Sequence, residues 1–237
     1  MRNYFTLGGA DSRNYGVYIS GQGTFNSPAR TVNALPVPGR NGDLIGMETR
    51  LENGEFVYKD AFIYSSFASK IETFKALLMS VVGYRKLIDS YHPDEYRMVI
   101  YQGPLTVKPT KKNDAAQFDI VFNAKPQRFL ISGDTATTLT ASGTISNPTL
   151  FPSRPLIRVY GNGVLGVGSD SITIINNSGN YIDIDCDAGL AYRGATNMNS
   201  SITLSVYDFP ALVGGTNNIA LGTGITKVEI TPRWWRV

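Results

Sequence analysis

Four groups of residues in this chain have types and spacing that invite a chemical reading. Asp89, His92, Asp94 and Glu95 crowd into Asp89-Ser90-Tyr91-His92-Pro93-Asp94-Glu95-Tyr96, where a general acid could sit beside an orienting carboxylate. A turn before a strand collects the same residues, and the chain has neither a second histidine nor a Gly-x-Ser-x-Gly elbow from which to build a triad. Asp183, Asp185 and Asp187 alternate with Ile182, Ile184 and Cys186, which sets three carboxylates on one strand face and three apolar groups on the other. Oxygen ligands in that array could draw calcium, but alternate strand residues lie about 7 Å apart, so the expectation is a solvated face. Cys186, on the apolar side, reads as a packed thiol and not a nucleophile.

Gly161, Gly163 and Gly166 match the dinucleotide-binding glycine pattern and follow a good strand, Leu156 to Tyr160. That fingerprint works by opening a helix whose N-terminus receives a pyrophosphate. Here Val167-Gly168-Ser169-Asp170 leads into Ile172-Thr173-Ile174-Ile175, another β-branched run, so the context fails. Trp234-Trp235 near the end of the chain could stack on a sugar. Adjacent strand residues face opposite ways, so at most one of the pair serves a given surface, and a core anchor or interdomain contact is the expected role. No catalytic residue, metal site or cofactor emerges from these groups.

The elements that must position them are mostly strands. Gly 24, Tyr 13 and Phe 11 against 17% charged residues favour pleated structure and tight turns, and 237 residues at 42% hydrophobic can fill one large core or two ordinary ones. Tyr15 to Ser20 and Thr31 to Leu35 read as extended, and prolines at 28, 36 and 38 forbid a helix between them. Met47 to Leu51 and Glu55 to Tyr64 flank Asn53-Gly54, a type I′ hairpin signal. One helix is predicted, about 67–82, with Ser65 or Ser66 as N-cap, Gly83 as the stop, and Phe67, Ile71, Phe74, Leu78 and Val81 on one packing stripe. Strands resume at Lys86 to Tyr91, Tyr96 to Tyr101, Leu105 to Pro109 and Ala116 to Ala124, the last alternating Phe118, Ile120 and Phe122 against polar neighbours.

The Thr, Ser, Ala and Gly of 133–146 suit a junction, which sets the expected boundary near 132 and two domains, 1–132 and 133–237. Beyond it Leu156 to Tyr160, Ser171 to Ile175, Tyr181 to Cys186, Ser201 to Tyr207 and Lys227 to Thr231 are short extended runs. Turn clusters at Asn176-Asn177-Ser178-Gly179 and Gly214-Gly215-Thr216-Asn217-Asn218 give the spacing of a β-sandwich. No helix is expected after Val82.

A net charge of +3 with scattered Lys and Arg marks no nucleic-acid footprint. One cysteine excludes an internal disulfide framework, and one histidine leaves too few ligands for zinc. The opening residues are too polar for a signal peptide and no run approaches a membrane span, so the expectation is a protein made in a cytosol.

The stretch around which the chain is organised is Leu35-Pro36-Val37-Pro38-Gly39-Arg40-Asn41-Gly42-Asp43-Leu44, in which two turn dipeptides hold one arginine between strand-like runs. With Tyr15-Gly16-Val17-Tyr18-Ile19 before it and Gly83-Tyr84-Arg85-Lys86-Leu87-Ile88-Asp89-Ser90-Tyr91 and Lys125-Pro126-Gln127-Arg128-Phe129 after it, this order of segments resembles the distal tail proteins, the Dit-like baseplate hubs, of long-tailed bacteriophages of Gram-positive bacteria. Arg154-Pro155-Leu156-Ile157-Arg158-Val159-Tyr160-Gly161-Asn162-Gly163 and Phe209-Pro210-Ala211-Leu212-Val213-Gly214-Gly215 extend the likeness to the second half.

The resemblance implies a mainly β protein, with an N-terminal split β-barrel carrying one packed helix and a C-terminal galectin-like β-sandwich. It implies a homohexameric ring in the virion, assembled in the host cytoplasm. One ring face would meet the tail tube protein and the other the tail-tip (tail-associated) protein, with receptor-binding proteins as further partners and neither specific nucleic acid nor membrane insertion. Within that reading, Pro38, Gly39, Arg40, Asn41 and Gly42 are expected near the subunit contacts, because a rigid loop presents a multidentate guanidinium to a neighbour. The rival reading is a carbohydrate-binding module contacting host cell-wall polysaccharide, and a third is a glycosidase using a carboxylate pair.

Overall fold

The computed structural model describes residues 2–21, 24–46, 50–64, 66–110, 112, 114–175, 177 and 181–237. The chain divides into two compact units, the first running to Arg128 with Val237 grouped to it, the second from Phe129 to Arg236.

The first unit contains β1 (Phe5–Leu7), β2 (Ala10–Asp11), β3 (Val17–Tyr18), β4 (Asn33–Pro36), β5 (Asp43–Gly46) and β6 (Gly54–Tyr64). The helix α1 (Phe67–Met79) follows, then β7 (Arg85–Asp89), β8 (Glu95–Tyr101), β9 (Lys108–Pro109) and β10 (Ala115–Leu130). Its main sheet runs in the order β2-β1-β7-β8-β10-β6-β3, with β9 also paired to β10, and curls into an open half-barrel. One source of the curl is visible in the register: Lys59 and Asp60 stand opposite Asp119 alone, Asp60 takes φ 53°, and its amide donates to Asp119 Oδ1 at 2.9 Å. Such a bulge sharpens local twist. Inside lie Phe5, Tyr58, Phe74, Phe118 and Phe122 with Leu7, Ile63, Leu78 and Ile120. Phe5 stacks on Tyr58 at 5.3 Å and meets Phe74 edge-on at 6.4 Å, so aromatic contacts bind helix to sheet.

The helix buries Ile71, Phe74 and Leu78 as the stripe predicts, but it ends at Met79, and Val81 lies beyond it, half exposed. The stop is a long-range cap. Arg85 donates from Nη1 to Leu77 O (2.8 Å) and from Nη2 to Leu78 O (2.6 Å), satisfying carbonyls of the last turn that have no intrahelical partner. At the other end Ser66 makes no side-chain cap bond, and Ser65 lies outside the described residues.

Asn53-Gly54 does not turn a hairpin. Gly54 opens β6, which pairs with β10 and β3, while Asn53 Nδ2 donates to Tyr84 Oη (2.6 Å) and Asn123 Oδ1 (2.8 Å), so tertiary bonds displace the local turn. Met47 to Thr49 of the expected partner strand lie outside the described residues. Tyr15, expected in a strand, ends a 3-10 turn over Ser12–Tyr15 whose N-cap Asp11 accepts from the Arg13 amide.

The second unit is a sandwich. Its strands are β11 (Thr137–Leu139), β12 (Gly143–Asn147), β13 (Leu156–Gly161), β14 (Gly163–Val167), β15 (Asp170–Ile174), β16 (Ile182–Asp185), β17 (Leu190–Arg193), β18 (Thr196–Asn197), β19 (Ile202–Leu204), β20 (Gly215–Leu221) and β21 (Ile225–Thr231). One sheet runs β11-β21-β13-β16-β17-β18 and the other β12-β20-β14-β15-β19. Alternate residues from both, including Ile157, Val159, Leu165, Ile172, Ile174, Ile184, Val228 and Ile230, close one core. The Gly214 to Asn218 cluster, read as a turn, mostly forms the start of β20. Its buried Asn217 accepts from Val213 N and donates to the Val213, Gly215 and Ile145 carbonyls, which lets a polar residue lie inside a strand. Of the other turn cluster only Asn177 is described. The two 3-10 turns at Ile131–Asp134 and Asn199–Ser201 are the helical pieces after α1 among the described residues.

Candidate functional site

The described residues of 29–46 and 50–52 form an antiparallel arm on the first unit. Its base is tied by Glu52 N donating to Ala29 O (3.1 Å), Thr31 N to Arg50 O (3.4 Å) and Thr31 Oγ1 to Glu52 Oε1 (2.9 Å), around an Arg30–Leu51 bridge. Above it β4 and β5 pair from Asn33–Gly46 to Pro36–Asp43 as a two-stranded ribbon separate from the barrel sheet. The tip is built by glycine geometry. Gly39 takes φ 79° after Pro38, with Arg40 N donating to Val37 O at 3.2 Å, the pattern of a type II turn, and Gly42 takes φ 86°. An added Cβ at either glycine would meet nothing within 4 Å, so φ alone demands them. The Arg40 guanidinium has no hydrogen-bond or ion-pair partner among the described residues.

The ribbon is apolar on both faces, and both are open. Leu35 and Leu44 stand directly opposite each other at 49% and 55% exposure, and Ile45, one position along and so on the other face, is 55% exposed. Val32 and Val37 continue the exposed apolar surface. An isolated two-stranded ribbon is marginal in water, and clustered exposed apolar side chains mark an interaction surface. Pro38 to Gly42 are thus the tip of a larger element whose apolar strands the turn motif does not reveal. A signal was available: Pro36 lies within β4, and proline is kept out of central strands.

The chemically suggestive groups are accounted for elsewhere. Asp89 accepts from Tyr58 Oη (2.9 Å), from the Tyr91 and His92 amides (both 2.9 Å) and contacts His92 Nδ1 (3.1 Å), an arrangement that closes a turn. Burial raises the Tyr58 hydroxyl well above its usual range, keeping it a neutral donor. His92 Nε2 is buried without a partner among the described residues, Glu95 pairs with Arg128 at 3.1 Å, and Asp94 faces solvent. No nucleophile contacts the histidine among the described residues.

The three aspartates are separate too. Asp183 is buried and held by Arg158 (2.7 and 2.9 Å), a correction to the solvated face, made because β13 brings that arginine directly across the strand pair. Asp185 accepts from Arg233 (2.7 and 2.9 Å) and from the Asp187 and Ala188 amides, and the Arg233 bonds hold its carboxyl below the usual range. Asp187 is exposed. Cys186 is fully buried and its thiol is pushed up to about 12 by that burial. Gly163 opens a strand and not a helix. Trp234 anchors the second core, while Trp235 donates from Nε1 to Pro152 O (2.9 Å) with its ring 4.6 Å from that of Phe151.

No protein-family model and no curated protein matches the chain. Solved structures do. The crystal structure of phage SPP1 Dit, described as a paradigm of the hub adsorption apparatus in Gram-positive-infecting phages, superposes with a TM-score of 0.73 over 100% of both chains at 14% identity. A chain of the phage P2 baseplate in its activated conformation matches with a TM-score of 0.50 over 97% of this chain and 98% of that one, at 13% identity. This chain has the Dit fold. At such low identity the likeness concerns backbone architecture. The shared architecture is mainly β, with one α-helix here among the described residues, and the open ribbon of β4 and β5 is described from this chain's own side chains.

Proposed function

We propose that this protein is the structural hub of a phage tail tip: a virion component, without catalytic function, whose copies form a six-membered ring joining the tail tube protein to the tail-tip protein of the host-adsorption apparatus. The observation that carries the reading is full-length likeness to the SPP1 hub protein together with an apolar ribbon that the isolated chain leaves uncovered. The ribbon supplies the subunit contact, with Pro38, Gly39, Arg40, Asn41 and Gly42 at its leading end. One patch on each copy meeting a different patch on the next is a heterologous contact, which closes into a ring when the rotation divides the circle. Such a contact can be weak alone and form fully only on a tail-tip scaffold. The guanidinium of Arg40 suits the task because its planar donors engage carboxylates or carbonyls two at a time. The two units carry separate cores, and on this reading residues from 133 onward fold independently as the outer domain.

The test is ring formation by negative-stain microscopy and light scattering, alone and with the tail-tip protein. Leu44→Asp is expected to abolish rings, and Arg40→Ala to weaken assembly by about tenfold or more, since buried interface arginines are frequent hot spots. Gly42→Val acts through backbone strain at the tip. Normal rings from all three variants would remove the ribbon from the interface, and a protein that stays monomeric with its tail-tip partner would remove the hub reading.

A further inference from the structure

In the second unit, a cavity of about 270 Å³ lies between the β14–β15 turn and the segment 206–213. One wall is an ion pair locked from several sides. Arg154 donates to both oxygens of Asp208 (3.0 and 2.6 Å) and to Cys186 O (3.2 Å), and Asp208 Oδ1 also accepts the Phe209 amide (2.8 Å). Asn217 on the floor is equally saturated. The lining also includes Asp170, whose carboxylate accepts only the neighbouring Ser169 hydroxyl at 3.2 Å among the described residues and has no cationic partner there. Its placement is rigid, because Gly168-Ser169 is a two-residue hairpin turn, with Gly168 at φ 62° and Val167 paired to Asp170.

The charged lining is thus one cation and two carboxylates, with the surplus negative charge on Asp170. Beside the polar side chains of Ser169 and Asn217, the remaining lining is apolar, with Val167, Val206, Phe209, Ala211 and Val213. We infer that this cavity takes the cationic side chain of a lysine or arginine from a partner polypeptide, with its aliphatic stem along the apolar walls and its terminal charge at Asp170. Long cationic side chains are built for that division, burying their stems while the head meets a carboxylate. A polypeptide is the source because exposed apolar side chains belong to the lining itself. Val206 and Val213, both in the lining, are each about half exposed, and Tyr207, between Val206 and Asp208 in the chain, is almost fully exposed. Exposed aliphatic side chains beside a charged anchor point are the composition of an interaction surface.

The experiment is amide NMR of the full chain titrated with Nα-acetyl-lysine methylamide, with the isosteric Nα-acetyl-norleucine methylamide and methyl glucoside as comparisons. Lysine amide is expected to give saturable shifts at Gly168 to Asp170 and Val206 to Val213, and norleucine amide at least about fivefold weaker ones. D170N is expected to weaken lysine binding by about fivefold, the scale of a single partly exposed ion pair, while core resonances stay in place. No saturable shifts with lysine, equal response to norleucine, or response to the glucoside alone would each overturn the proposal. The norleucine comparison uses the unaltered chain, so it decides the matter even if D170N fails to fold.

Discussion

The arm tip and the β13–β14 connection are both glycine-punctuated turns between strands, yet they place opposite demands on those glycines. At the tip, Gly39 and Gly42 have positive φ and empty space where a Cβ would go. At the connection, Gly161 and Gly163 also have positive φ (97° and 142°), but a Cβ would lie 2.1 Å from Gly224 O and 2.5 Å from Thr223 O. The flanking strands differ in parallel: β13 and β14 turn Ile157, Val159 and Leu165 into a shared core, while β4 and β5 expose Leu35, Leu44 and Ile45. One region is complete within a single chain, and the other has the apolar content of a core with nothing laid over it among the described residues. Close approach of backbones marks a finished fold, and open space around equally apolar strands marks a surface.

Substitutions should separate the two regions clearly. Leu165→Ala is expected to destabilise the second unit by about 2–5 kcal/mol, the cost of lost burial plus a cavity, whereas Leu44→Ala should stay within about 0.5 kcal/mol in the isolated chain. Chemical denaturation of both variants measures the difference, and a Leu44 effect as large as that of Leu165 would mean the ribbon is packed in the monomer. Next in size, Gly161→Ala should cost about 3 kcal/mol, combining the left-handed backbone with a clash against backbone oxygen. Gly39→Ala, with strain alone, should cost about 1–2 kcal/mol at most and leave the unfolding of the rest of the molecule unchanged. Thermal unfolding of the pair decides.

Smaller still is the acid response of the second unit. Asp185 has a folded value below its ordinary 3.8, first through its Arg233 bonds, so the unfolded chain binds the proton more readily. The stability this contributes is present above pH 3.8 and lost as pH falls through the lower folded value. Asp185→Asn should flatten the acid limb of stability against pH in that window, with no change near neutrality in its slope. The smallest effect is on thiol chemistry: Cys186, buried with its thiol pushed up to about 12, should resist an aromatic disulfide reagent in the native state and react once the second unit unfolds. Rapid native labelling would show that core to open far more often than its packing implies.

What the sequence alone determined here is local. Phe118, Ile120 and Phe122 declare a half-buried strand through their period of two, Ile71, Phe74 and Leu78 declare a helix face through their period near 3.6, and Pro38-Gly39 and Asn41-Gly42 declare turns through φ alone. Each of these depends on steric preferences within a few residues. The failure of the β-branched run after Gly166 to open a helix was likewise legible from neighbours in the chain. Tertiary structure decided which backbone lay opposite. Asn53-Gly54 holds a hairpin signal, but Tyr84 and Asn123 take its side chain. Arg85 reaches back to end the helix before Val81, and Arg158 across a strand pair turns Asp183 from a surface group into a buried one. Leu35, Leu44 and Ile45 look like core residues in sequence because hydrophobicity is a property of the side chain, whereas exposure depends on whether any other part of the fold comes to cover it.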